Sequence, residues 1–317
     1  MKKQGILSFG DAFVDYIATD LSNKSFETYL GGTTINVATG VARLGIPTSY
    51  ICKLGMDKVS HFVEEELTKE KVDIHYSVKT PTKKICGVYV HLNEEGDRYF
   101  HSYMNETPDE VLKVEDLNPA PFEQAKIFYF GSGTLFHEQA RKATEKALEL
   151  AKKYQTLISF DSNIRMKRWK SEEECRQTIL PFLDKIDILK ISEDELFFLT
   201  ETKSLVAAFK ELEIYQIPYV FITLGEKGTY TVSSNGKAIE PAQKIEALDT
   251  TGAGDAFMSG ILACFHEKGA PTSLADLKKY AKIGNAMGTW VSTQMGALPP
   301  LPSNKDFYEK IVKNYFS

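Results

Sequence analysis

From residue 126 onward the chain alternates short apolar runs with longer segments whose apolar residues recur at helical spacing. Strands are expected over 126–130, 156–161, 186–190 and 218–224, with helices over 137–154, 172–182, 192–199 and 203–213 between them. A strand, a helix and a further strand of the same sheet close as a right-handed crossover. The segment is therefore constrained to an α/β arrangement, a doubly wound and mostly parallel sheet flanked by helices on both faces. The opening of the chain joins it, with a strand at 4–10, a strand at 48–54 and a helix at 58–69. No internal repeat, low-complexity tract or long linker divides residues 1–317, which read as one domain.

Two segments depart from this order. Residues 13–30 mix alternation with turn residues and read as a hairpin. Residues 84–91 and 98–103, rich in Tyr, Val and Phe, flank the turn Asn93-Glu94-Glu95-Gly96-Asp97 and read as a second one. Together, about 13–30 and 84–104 predict a small antiparallel sheet inserted into the α/β order, placed to cover a site and exclude water.

Open α/β sheets bind ligands beyond the carboxyl ends of their strands. Polar and glycine residues gather there: Gly131 and Gly133, then Asp161-Ser162-Asn163-Ile164-Arg165, then Lys190 to Glu195, then Thr223 to Gly228. If the chain stays extended past 160, Asp161, Asn163 and Arg165 point the same way and converge; the alternative is a loop ion pair between Asp161 and Arg165. Ser192 followed by Glu193, Asp194 and Glu195 is in itself an ordinary capped helix start. Over 276–292, Gly284 and Gly288 open a groove for a flat ring or for a neighbouring helix.

The stretch Asp249-Thr250-Thr251-Gly252-Ala253-Gly254-Asp255-Ala256-Phe257 is a glycine-rich turn opening into a helix that is apolar or small to about Phe265. Such a helix is buried on most sides, and its first N–H groups are left without partners at the positive end of the dipole. Gly252 and Gly254 let those amides converge, which makes an anion trap suited to phosphate. Asp255 stands at its mouth.

A net charge of -5 offers no basic excess for neutralising a nucleic-acid backbone. No apolar run approaches membrane-spanning length, and Met1-Lys2-Lys3 is followed too soon by Asp11 and Asp15 for a signal peptide. Cys52, Cys86, Cys175 and Cys264 show no metal or disulfide spacing, so they are expected as reduced thiols in a cytoplasm. The P-loop and the protein-kinase motifs are absent.

The nine residues from Asp249 to Phe257 resemble the second signature of the ribokinase-like (PfkB) carbohydrate kinases, and Gly31 to Gly45 resembles the first. The resemblance runs in order over almost the whole chain and implies a ribokinase-like fold with a β lid. It implies that Gly252, Ala253 and Gly254 hold the transferring phosphoryl and that Asp255 is the base for the sugar hydroxyl. Asp15, Gly31, Gly32 and Asn36 would bind the sugar, whose hydroxyls suit carboxylate and amide partners. Asp-x-Asn-x-Arg, here Asp161, Asn163 and Arg165 ahead of Trp169, resembles the fructokinase and 2-keto-3-deoxygluconate kinase branch. There Arg165 would meet phosphoryl charge, Asp161 and Asn163 the substrate, and Arg98 and Tyr103 would reach it from the lid.

The nucleotide would lie against Ser192, Thr223, Gly225, Gly228, Asn285 and Gly288. Ser192 departs from the family's Asn-x-x-Glu, while Glu195 is present and would hold Mg2+ through water. The resemblance also allows a monovalent cation, K+, near Asp249 and Thr251 and the turn 295–299. The reading is an ATP- and Mg2+-dependent sugar kinase acting on a primary hydroxyl, fructose before other sugars or a nucleoside, with a sugar-sensing relative that has lost catalysis as the rival from another class. Tyr103 is followed by Met104 where related sugar-acid kinases carry Arg, which favours a neutral substrate over 2-keto-3-deoxygluconate. Small-molecule sugar and ATP are the expected partners, with the chain a monomer or a homodimer joined through the lid.

Overall fold

The computed structural model describes residues 3–294. In chain order they form β1 (Ile6–Phe9), β2 (Phe13–Ala18), β3 (Phe26–Gly31), α1 (Thr33–Arg43), β4 (Thr48–Ile51), β5 (Lys53–Leu54), α2 (Lys58–Lys69), β6 (Val72–Asp73), β7 (Val78–Lys79), β8 (Cys86–Leu92) and β9 (Arg98–Met104). Next come α3 (Ala120–Gln124), β10 (Ile127–Gly131), α4 (Glu138–Lys153), β11 (Leu157–Asp161), α5 (Glu172–Ile179), β12 (Ile188–Ser192), α6 (Glu193–Thr200) and α7 (Leu205–Glu213). The last are β13 (Tyr219–Thr223), β14 (Thr229–Ser233), β15 (Gly236–Glu240), α8 (Ala253–Lys268) and α9 (Leu274–Ser292).

The main sheet has the order β15-β14-β13-β12-β11-β10-β1-β4-β6. It is parallel from β13 to β6 and antiparallel only at β13/β14 and β14/β15. Its central strands β1, β10 and β13 are largely apolar because both faces are covered. Phe128, Phe130, Phe160, Leu189 and Ile222 pack with Ala143, Ala147, Cys175, Leu196 and Ala208 from α4 to α7. Ile127, Tyr129, Ile188 and Phe221 turn the other way, onto Val37 of α1, Met258 and Ile261 of α8 and Ala281 of α9. Each large side chain so buried is worth about 1.5–3 kcal/mol before entropy is counted. Several expected elements differ at their ends. The strand expected over 48–54 breaks at Cys52, whose N–H goes to Ser77 Oγ, and β5 pairs with β7 instead. The helix expected over 172–182 ends at Ile179 and tightens into a 3-10 turn containing Pro181. No signal was read for α3, β6 or β7.

A second sheet, ordered β3-β2-β8-β9, stands over the carboxyl ends of β1 and β10. Its two hairpins are antiparallel, as expected, but its central pair β2/β8 is parallel, with Phe13 opposite Cys86 and Ile17 opposite Val90. Both hairpins leave the main body from the same side, so their outgoing strands run together and the returning strands lie outside. The insert is thus a mixed sheet. Among the described residues all four cysteines are buried and unbridged, and no helix is long and apolar enough to cross a membrane.

Candidate active site

The carboxyl ends of β1, β10 and β11, the start of α8 and the inner face of the small sheet enclose a cavity of about 410 Å³. The turn before α8 is possible because Gly252 takes φ 77, a left-handed conformation that costs glycine nothing. The Ala253 N–H closes on Thr250 O at 3.2 Å and the Ala256 N–H on Gly252 O at 2.9 Å. The N–H groups of Gly252, just before them, and of Gly254 and Asp255, between them, have no hydrogen-bond partner among the described residues. Bare first-turn amides beside a cavity form an anion hole.

Asp255 lines the same cavity, and its Oδ2 accepts a 2.7 Å bond from Asn36 Nδ2 of α1. Burial raises its pKa, while the Asn36 bond and the charges of Lys190 and Arg165 oppose that rise. Asp15, on β2, faces Asp255 across the cavity. Burial, and then the Asp255 charge, push its pKa up to about 7. A Cβ on Gly31 would lie 2.2 Å from an Asp15 carboxylate oxygen, so Gly31 serves by leaving that room. Gly32 does line the cavity, at φ 99.

Asp161 is absent from the lining. Its carboxylate is fully buried and takes two bonds from Lys190 Nζ, at 3.0 and 3.1 Å. Burial raises Asp161 to about 6 against the opposing charge of Lys190. The expected convergence of Asp161, Asn163 and Arg165 fails because the chain leaves the extended conformation at Asn163, φ 27. Asn163 and Arg165 still line the cavity, and the Asn163 amide also donates to Thr33 Oγ1. Arg98 and Tyr103 reach the cavity from β9.

Residues read as nucleotide ligands meet two fates. Ser192 and Thr223 are cross-strand neighbours at the carboxyl ends of β12 and β13, with Gly225 (φ 60) and Gly228 (φ 104) in the turn beyond. Asn285 is different: its Oδ1 accepts from Thr229 Oγ1 at 2.6 Å and its Nδ2 donates to Glu240 O at 3.0 Å, which ties α9 to β14 and β15. The Gly284 and Gly288 groove is filled by a neighbouring helix, since added Cβ atoms would lie 2.7 Å from the Phe257 ring and 3.0 Å from Ala253 O. Asn285 and Gly288 are thus both buried in contacts of the protein's own. Ser192 and Glu195 form a reciprocal cap, and the Glu195 carboxylate also accepts from Ser162 Oγ at 2.7 Å and the Ile164 N–H at 2.6 Å. Only Oε1 keeps spare acceptor capacity for a metal-bound water. Asp249 Oδ1 accepts from the Thr251 N–H at 2.9 Å, and its Oδ2 faces Arg98 Nη1 at 3.7 Å. The turn 295–299 lies outside the described residues.

Two cations were given no role from the sequence. Lys190 had a signal, a charge inside the apolar run Ile188-Leu189-Lys190-Ile191, which must find a partner. Arg168 had none. It lines the cavity 3.7 Å from the Phe136 ring centroid, near Phe13 and Tyr103 of the small sheet, with no carboxylate partner among the described residues.

The pfkB family carbohydrate kinase profile matches residues 3–304. The chain belongs to that family. This carbohydrate kinase is 35% identical to a probable fructokinase-3 of Arabidopsis thaliana over 94% of its own length and 89% of that protein. It also resembles a crystal structure of fructokinase from Vibrio cholerae O395 in fructose, ADP and calcium ion bound form. That match has TM-score 0.84 and 30% identity and covers 96% of this chain and 98% of that one. A Salmonella enterica aminoimidazole riboside kinase complexed with aminoimidazole riboside and an ATP analog has the same TM-score, 0.84, at 27% identity, covering 97% and 99%. The kinase thus has the ribokinase-like fold, with its cavity and bare amides at the carboxyl edge of the sheet.

Proposed function

We propose that this kinase transfers the γ-phosphoryl of ATP to the primary hydroxyl of fructose, with Asp255 as general base. The observation that carries the reading is a half-buried carboxylate, steadied by Asn36, in one cavity with the unpartnered Gly252 and Asp255 amides, the Gly254 amide lying in the same turn. Asp255 accepts the hydroxyl proton as the sugar oxygen bonds to phosphorus and the bond to the bridging oxygen of ADP breaks. The Gly252, Gly254 and Asp255 amides and the Arg165 guanidinium meet the charge that spreads over the phosphoryl oxygens. Asp15, Asn36 and Asn163 bind sugar hydroxyls, and Arg98 and Tyr103 close over them. The donor lies on the β12 and β13 side, along Ser192, Thr223, Gly225 and Gly228, so that α8 begins between donor and acceptor. Magnesium, which binds few protein groups and keeps its waters, would be held through water on Glu195 and would neutralise phosphate charge.

Fructose is favoured because fructokinases recur among the relatives and because cavity carboxylates and amides suit a neutral polyol. Arg168 favours a second reading, a sugar acid such as 2-keto-3-deoxygluconate, whose carboxylate would meet that guanidinium. We also place a second copy of the chain on the small sheet, which exposes Tyr29, Tyr99 and Met104. The buried free thiols suit a cytoplasmic enzyme. Steady-state phosphorylation of fructose, 2-keto-3-deoxygluconate, ribose and a nucleoside decides the substrate. The reading expects the highest kcat/KM with fructose, and a tenfold preference for any of the others overturns it.

A further inference from the structure

Lys190 lies mid-way along β12, 8% exposed, with both Asp161 oxygens within hydrogen-bond reach and Asp161 fully enclosed. A buried ion pair is no more stabilising than an apolar pair of the same volume, so its presence in a strand core points to a local use. That use is indicated by what lies against the ammonium. A Cβ on Gly254 would come within 3.0 Å of Lys190 Nζ, so the first turn of α8 rests directly on this cation. The next residue is Asp255.

The groups that act on Asp255 come from every element around it. Asn36 of α1 donates to it, and Arg165, after β11, faces it from an exposed position. Asp15 of β2 and Asp161 of β11 are acids within its field, and the Tyr129 hydroxyl of β10 lies within the field of both Asp161 and Asp255. Glu195 of α6 also acts on Lys190. Burial drives Asp255 toward its neutral form, in which it cannot accept a proton. Of the cations that oppose this, only Lys190 is shielded from solvent, where a charge acts at its strongest.

We propose that Lys190, clamped by Asp161, is the positioning residue that keeps Asp255 a carboxylate and seats the first turn of α8 beneath the transferring phosphoryl. The inference rests on Asp255 being the base. Lys190 need touch neither substrate: its charge acts through the Gly254–Asp255 turn. Asp161 then has a double effect, because it fixes the ammonium in place and also offsets part of its field.

The test is the pH profile of kcat for wild type, Lys190→Met, Asp161→Asn and the double variant K190M/D161N. Loss of a nearby opposite charge moves a carboxylate by about 1–3 units. In Lys190→Met the acid limb should move to higher pH by about one unit or more, with turnover recovering on the alkaline side. In Asp161→Asn it should move to lower pH, since the Lys190 field is no longer offset. The double variant leaves no buried unpaired charge and so remains folded if either single variant does not; its limb should also lie above that of wild type. Loss of turnover at all pH values with an unmoved limb, or shifts of the same sign in both single variants, overturns the proposal. Asp255→Asn separates the two levels. If that variant keeps full turnover, the base assignment itself fails; if it is inactive while the Lys190→Met limb stays put, only the present inference fails.

Discussion

Asp15→Asn should make the protein more stable and worse at binding sugar, and the gain should exist only at neutral and alkaline pH. Asp15 turns its carboxylate into the cavity, and its pKa is raised from 3.8 to about 7, by burial first and by Asp255 second. A shift of about 3 units at about 1.4 kcal/mol each gives an upper figure of about 4 kcal/mol. Water in the cavity screens part of this, and about 2 kcal/mol is the working value. The folded state holds its proton more tightly than the unfolded chain, so the cost is absent below about pH 4, grows through pH 7 and is constant above. Urea unfolding at pH 8 should show Asp15→Asn more stable than wild type by about 2 kcal/mol, with an unchanged m-value, and the gap should narrow steadily toward pH 4. The same change removes a charged acceptor worth about 1.5–3 kcal/mol to a hydroxyl, or about 10–10²-fold in kcat/KM for the sugar. Equal stability at pH 8, or a gap that does not change with pH, would refute the reasoning.

Further outcomes follow from packing. Gly284→Ala places a methyl 2.7 Å from the Phe257 ring and 3.1 Å from Ile261, with no space to yield, and should destabilise by about 1–3 kcal/mol in thermal unfolding. Asn285→Ala should lower Tm by cutting the Thr229 and Glu240 ties while KM for ATP changes less than about threefold; a large loss of ATP affinity with Tm intact would restore Asn285 to the nucleotide site. Arg168→Met removes a cation–π contact worth about 0.5–2 kcal/mol between the β11 loop and the small sheet. KM for fructose should rise by up to about tenfold with kcat held, and a fall in kcat at constant KM would contradict that account.

Much of the architecture is legible because it is written locally. A parallel sheet covered on both faces needs uninterrupted apolar strands, and residues 127–130 and 219–223 supply them. The bare amides before α8 are legible for the same reason, since Gly252 and Gly254 permit the turn and the apolar helix after them forces burial. The direction of β2 against β8 is not legible, because their register joins segments some 70 residues apart that carry no local mark of it. A fan of Asp161, Asn163 and Arg165 needs extended geometry to persist beyond β11, and one positive φ at Asn163 ends it. Asn285 shows a different limit. Its amide is as well suited to an adenine edge as to Thr229 and Glu240, and only the packing of α9 decides between them.

The base assignment is tested most directly by Asp255→Asn, with binding and turnover measured on the same protein. Asparagine keeps the volume and the contact to Asn36 but cannot take a proton. Calorimetric affinities for sugar and nucleotide should stay within a few-fold of wild type, while kcat falls by about 10²–10⁴ or more. Turnover within tenfold of wild type, with both ligands bound normally, would contradict the account.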